Sequence, residues 1–154
     1  MEPRLRPAAA ADIDLIVAFS RRLNQEDPAF TGDFHFDEPA VRGALAQLLA
    51  DPSLGRVWLI CIAAEPVGYV ALTFGFSLES HGRDLLIDEI YLLPDYRGRG
   101  IGRWVIRQLE AEARGLGIIR LYLEVERPNR RAQAFYRQLG FEDHNRYLMS
   151  KWIA

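Results

Sequence analysis

The sequence predicts a single α/β domain over residues 1–154, with a mixed, mostly antiparallel sheet flanked by helices in the order β-α-α-β-β-β-α-β-α-β. Three observations predict it. Apolar residues recur at helical spacing in the first third of the chain. Between residues 57 and 93 the pattern changes to strand-like apolar runs separated by turn residues. Beyond residue 100, two helical stretches alternate with extended ones. At 154 residues, 49% hydrophobic and 26% charged, the chain has room for a sizeable core and an ordinary globular composition.

Each element has a local reason. Residues 4–6 read as a short first strand before Pro7. Asp12 is suited to cap a helix to about Asn24, with Ile13, Ile16, Val17 and Leu23 on one face. Residues 26–36 (EDPAFTGDFHF) mix Pro, Gly, acids and aromatics and read as a loop. Asp37 caps a second helix, with Pro39 in its first turn and Val41, Leu45, Leu48 and Leu49 apolar. A buried-strand run, 57–64 (VWLICIAA), turns at Glu65-Pro66 into 67–78, and a turn over 80–83 leads into 85–93. These three strands are expected to form an antiparallel meander. Residues 100–115 are helical and end in glycine, 118–125 form a strand, 130–139 a short helix and 141–152 a final extended segment.

Composition excludes several classes. The longest apolar run, 57–64, is far short of the roughly 20 residues a membrane span requires. The N-terminus carries Glu2, Asp12 and Asp14 and does not read as a signal peptide. Cys61, the single cysteine, fits a buried, inert thiol in a reducing cytoplasm. His35, His81 and His144 show no ligand spacing, so no metal is expected. The net charge of −2 divides unevenly: residues 1–96 hold 7 Lys+Arg and 15 Asp+Glu, residues 97–154 hold 12 and 6. An acidic half joined to a basic half suits a protein that handles one cationic and one anionic ligand. An acidic chain without a basic-aromatic patch is not expected to bind nucleic acid, nor is a membrane expected as partner.

The most informative stretch is 88–102, DEIYLLPDYRGRGIG. A strand ends at Leu93-Pro94, and Arg97, Gly98, Arg99, Gly100, Ile101 and Gly102 open a helix. Glycines there let successive N–H groups converge, and a helix N-terminus favours phosphate. Arg97 and Arg99 add charge. The plain alternative is a tight turn bearing surface arginines. A Walker loop fails because Arg103-Trp104 follows Gly102. In a dinucleotide fingerprint Arg103 would occupy the third glycine position, and the preceding hairpins do not suit a parallel βαβ unit.

This segment resembles the GCN5-related N-acetyltransferase superfamily, whose acyl-CoA loop Arg/Gln-x-x-Gly-x-Gly/Ala is met by Arg97, Gly100 and Gly102. Asn129-Arg-Arg-Ala132-Gln-Ala-Phe-Tyr136, followed by Leu139-Gly140-Phe141, is similar to the family's second block, and the element order matches its fold. The resemblance implies acetyl-CoA as co-substrate, with the pyrophosphate on the main chain of 97–102. It implies that the strand with Ile90, Tyr91 and Leu92 splays from its neighbour and offers backbone groups to the pantetheine. Asn129 would lie near that arm, with Ala132 in the same block, and Tyr136 would point at the sulfur. A homodimer is a further family expectation, with 141–154 a candidate surface.

Acetyl transfer to an amine needs a proton acceptor, because a lysine-like ammonium with a pKa near about 10.4 is mostly protonated at neutral pH. Glu89 is the candidate base, expected on a strand face with Leu85, Ile87 and Tyr91, where apolar surroundings raise a carboxyl; Asp88 lies opposite. A paired structural carboxylate, or a water relay, is the alternative. Tyr136 is the candidate acid, against a half-buried structural tyrosine. Arg130-Arg131 suit either a phosphate of the co-substrate or solvent. The acceptor side gathers Glu26, Asp27, Asp33, Asp37, Glu38, Glu79, Asp84 and Asp88, with Phe30, Phe34, Phe36 and Phe76 as groove candidates. The expected activity is acetylation of a cationic small-molecule or lysine-like primary amine, and LIDEIYLLPDYRGRGIG is similar to diamine-type members. The alternative is a non-catalytic acyl-CoA-binding or regulatory module.

Overall fold

The structure is a computed structural model that describes residues 2–26 and 35–154. Strand β1 (Pro3–Pro7) leads through a 3-10 turn to helix α1 (Ile13–Glu26) and, beyond the undescribed residues, to α2 (Glu38–Ala50). Strands β2 (Gly55–Ile62), β3 (Glu65–Ser77) and β4 (Gly82–Leu92) follow, then α3 (Ile101–Gly115), β5 (Arg120–Tyr122) and α4 (Arg130–Gln138). The strands lie in the order β1-β2-β3-β4-β5. The first three pairings are antiparallel and the last, across the α3 crossover, is parallel. The mixed α/β class expected from the sequence is therefore correct.

Each face of the sheet carries its own core, as strands with apolar side chains on both faces require. On one face α1 and α2 bring Ile16, Val17, Phe19 and Leu45 against Val57, Leu59, Tyr69 and Tyr91. On the other, Ile101, Val105, Ile106, Leu109 and Ala113 of α3 cover Ile60, Val70, Leu72, Leu85 and Ile87. Cys61 is a free, buried thiol.

Local chemistry departs from expectation in four places. Asp12 does not cap forward: its carboxylate accepts from the Ala9 N–H at 2.8 Å and from Arg6, within the turn that precedes α1. Asp37 does cap α2, accepting from Ala40 N. The β2–β3 turn falls on Ala63-Ala64, both at positive φ (49° and 68°) as a two-residue hairpin demands, so Glu65-Pro66 already belongs to β3. The strand expected over 118–125 is shorter, Arg120–Tyr122, because it pairs with β4 only along Asp84–Leu86. The final strand of the predicted order is not formed. After Phe141, which packs into the α3-side core, residues 142–154 are exposed and carry no strand. Arg146 pairs instead with Glu79 at the β3–β4 tip, and Tyr147 lies under Arg127.

Candidate functional site

Strand β4 has no β5 partner beyond Leu86, so along 87–92 its edge on that side has no strand neighbour among the described residues. A bulge shapes that stretch. Ala71 of β3 faces Glu89 while Leu72 faces Ile87, leaving Asp88 as the extra residue. The extra residue inverts the alternation: Leu85 and Ile87 point into the α3-side core, but Tyr91 points into the α1–α2 side. Glu89 therefore shares its face with Tyr91 and not, as expected, with Leu85 and Ile87. There it accepts hydrogen bonds from the hydroxyls of Ser20 (3.2 and 3.4 Å) and Tyr69 (3.1 Å). Both donors are buried, at 2% and 1% exposure. Desolvation first, and the nearby Asp88 charge second, raise the Glu89 carboxyl above the usual range; the two hydroxyls oppose this without cancelling it. Desolvation also raises Asp88, which retains solvent access at the bulge. Glu124, just past β5, is raised by desolvation and by Asp88 and Glu126. The Asp88 charge thus acts on both Glu89 and Glu124.

The glycine loop has the expected conformation. Gly98 and Gly100 have φ of 72° and 80°, and a Cβ at either would meet open space. Gly100 caps α3, and its carbonyl accepts from Trp104 N. None of the N–H groups from 98 to 103 donates to another described group. This is a donor set at a left-handed turn and a helix N-terminus, which fits a pyrophosphate. The Arg99 guanidinium lies over the Tyr96 ring at 5.5 Å. With Gly100, Ile101 and Trp104 it borders a shallow groove of about 280 Å³. Arg97 points elsewhere, pairing with Glu26 at 2.6 Å and donating from Nε to the Leu92 carbonyl at 2.9 Å.

The second block meets the loop through packing. A Cβ on Gly102 would come 3.3 Å from the Phe135 ring, so the glycine lets α4 approach the first turn of α3. Asn129 caps α4, its side-chain carbonyl accepting from the Ala132 N–H at 3.1 Å. Tyr136 packs edge-on against Phe135 and Phe141, and desolvation raises its phenol, keeping the proton on at neutral pH. Its hydroxyl bonds to no other described residue. Glu89 and Tyr136 are not in contact. They belong to the layers on opposite faces of the sheet.

The expected acidic acceptor side is largely neutralised. Glu26 pairs with Arg97, Glu38 with Arg21, and Glu79 with Arg146. Asp84 is buried against Arg120 at 2.7 Å and Asp37 is a helix cap. Phe36 lies under Arg21, and Phe76 is exposed on β3. Asp27, Phe30, Asp33 and Phe34 lie outside the described residues. Sequence reading missed Ser20, Tyr69 and the Glu26 pairing. A serine on the apolar face of α1 and a tyrosine inside β3 were the available signals for the first two.

Known proteins agree with this geometry. The family model described as acetyltransferase (GNAT) family matches residues 20–141. A thialysine N-epsilon-acetyltransferase of Bos taurus is 31% identical over 124 residues, 80% of this chain and 69% of that one. An uncharacterized N-acetyltransferase of Methanocaldococcus jannaschii is 38% identical over 100 residues, 62% of this chain and 42% of that one. Among solved structures, a predicted acetyltransferase of Clostridium acetobutylicum with acetyl-CoA superposes with a TM-score of 0.78 at 21% identity, covering 97% and 96% of the two chains. The left-handed glycine loop at the head of α3 and the matched sequence together place this chain in the acetyltransferase (GNAT) family, as an N-acetyltransferase enzyme.

Proposed function

We propose that the protein, as one domain, transfers the acetyl group of acetyl-CoA to a primary amine of a cationic small molecule or lysine-like acceptor, by direct attack on the thioester. The observation that carries this reading is Glu89, a carboxyl raised by burial and held by Ser20 and Tyr69 on the part of β4 that has no β5 partner. The name of the bovine relative, a thialysine N-epsilon-acetyltransferase, supports an amine acceptor.

Bound acetyl-CoA supplies an activated acetyl group on sulfur. The free main-chain N–H groups of the loop, from Gly98 onward, hold its pyrophosphate, assisted by Arg99. Backbone groups of Ile90, Tyr91 and Leu92 line its pantetheine, as do the Asn129 amide and the Ala132 turn. A β4 N–H on the side of 87–92 without a β5 partner meets the negative charge that develops on the carbonyl oxygen. Glu89 accepts the amine proton, directly or through one water, as nitrogen bonds to the acetyl carbon. Tyr136, its proton retained, donates to the departing sulfur. Asp88 and Glu124 give the approach a negative field that favours a cationic amine.

Glu89 must be ionised to act, so the rate falls as pH drops through its raised pKa. The wild-type rate is expected to show an acidic limb above the ordinary carboxylate range. Glu89→Gln should lose that limb together with about a hundredfold or more in kcat. An unchanged limb in the variant overturns Glu89 as base.

Two further readings belong here. The buried free thiol of Cys61 suits the cytoplasm. Two copies associate through the segment 141–154. Tyr147, Leu148, Met149 and Ile153 are 84%, 65%, 89% and 90% exposed, and Arg146 joins them to the exposed Phe76 and Leu78 at the β3–β4 tip. Apolar residues on both faces of this stretch suit a strand added at a sheet edge, and β5 is the last strand of the sheet among the described residues.

A further inference from the structure

Arg97, the first residue of the phosphate loop, does not face the loop's free N–H groups. Its Nη2 donates to Glu26 Oε2 at 2.6 Å, its Nε donates to the Leu92 carbonyl at 2.9 Å, and the guanidinium lies 5.3 Å from the Tyr91 ring centroid. The Tyr91 hydroxyl closes the ring of contacts by donating to Glu26 Oε1 at 2.9 Å. Both oxygens of one carboxylate, at the last residue of α1, are therefore engaged by the end of β4 and by the turn after it. The Arg97 contact is the first cause that holds the Glu26 carboxyl below its ordinary value. The bond from Arg97 back to Leu92 spans the turn Pro94–Tyr96, so it fixes the angle at which the chain leaves β4 and enters the glycine loop.

We propose that Glu26 is a positioning residue for the acetyl-CoA site. Through Arg97 and Tyr91 it ties α1 to the end of β4 and holds the 94–97 turn, so that the N–H groups from Gly98 onward converge. Arg97 then serves as a bracket and the pyrophosphate rests on the main chain. The charge expected of Arg97 at the anion is spent on Glu26, and Arg99 is the loop arginine left to face it. The inference rests on acetyl-CoA being the ligand.

The test is the acetyl-CoA dissociation constant, measured by calorimetry without acceptor, for wild type, Glu26→Gln, Arg97→Lys and the double variant. Glu26→Gln keeps an acceptor for Tyr91 and removes the charge. Arg97→Lys keeps the charge and removes the Nε bond to Leu92. Each is expected to weaken binding about fivefold, the double variant no more than either alone, because both break the same bracket. In turnover the loss falls on KM for acetyl-CoA more than on kcat. Unchanged binding in Glu26→Gln overturns the proposal. So does tighter binding, which marks Arg97 as a direct phosphate ligand that Glu26 restrains, and so does an additive loss in the double variant. Wild type that fails to bind acetyl-CoA overturns the functional reading itself, an outcome distinct from normal wild-type binding with silent variants.

Discussion

The chemistry proposed for this protein concentrates in one carboxyl, Glu89. Burial raises it above a surface glutamate, as the proposed base requires, and the Ser20 and Tyr69 hydroxyls fix its direction. The same burial has a stability consequence. A carboxyl whose folded pKa lies above its unfolded one stabilises the fold fully only below the unfolded value, and that contribution is lost as pH rises through the folded pKa. At pH 7–8 the ionised Glu89 is therefore a cost to the fold. Glu89→Gln, which keeps acceptors for both hydroxyls, is expected to unfold at the same temperature as wild type or higher while losing turnover. A clear fall in unfolding temperature contradicts the assigned environment. For Tyr136, replacement by Phe leaves the ring contacts with Phe135 and Phe141 in place and removes only the hydroxyl. The loss is expected in kcat, with the acetyl-CoA dissociation constant within about twofold of wild type. Equal losses in both remove its role as acid.

At the scale of elements, two features set the site: the bulge at Asp88 and the glycine turn at the head of α3. Gly100 has a left-handed φ, which costs a β-branched residue about 1–2 kcal/mol, and a Cβ there projects into the space above the free N–H groups. Gly100→Val is expected to remain folded at reduced stability and to lose acetyl-CoA binding, checked by circular dichroism beside calorimetry. Normal binding places the phosphates elsewhere. These elements also mark what was legible. The glycine loop, the Asn129 cap and the helix spacings are local patterns, and residues 97–102 and 129–136 could be read directly. The face of Glu89 could not, because one extra residue in β4 inverts every side chain beyond it and no local signal marks a bulge. Ser20, Tyr69 and Glu26 reach their partners across 69, 20 and 71 residues of chain, a distance over which periodicity carries no information. The last strand failed for a related reason: a strand pattern states that a segment suits a ladder, not that its own chain supplies one.

For the whole molecule, the charge asymmetry of the sequence resolves differently from its first reading. Six of the thirteen described acids of residues 1–96 are paired with arginines, three of them with arginines from beyond residue 96, so the two halves are partly one electrostatic unit. The negative field left for an acceptor comes from Asp88, Glu89 and Glu124. Light scattering is expected to find a dimer in solution, and Met149→Asp with Ile153→Asp to yield a monomer that still binds acetyl-CoA. A dimer that survives the paired substitution removes the terminal segment as the interface. The most direct measurement on the central proposal is thiol release from acetyl-CoA across diamines and polyamines, lysine peptides, free amino acids, N-terminal peptides and aminoglycosides. Turnover with a cationic, lysine-like or diamine acceptor, absent when Glu89 is glutamine, is the predicted result. Silence with every amine while acetyl-CoA binds normally contradicts it.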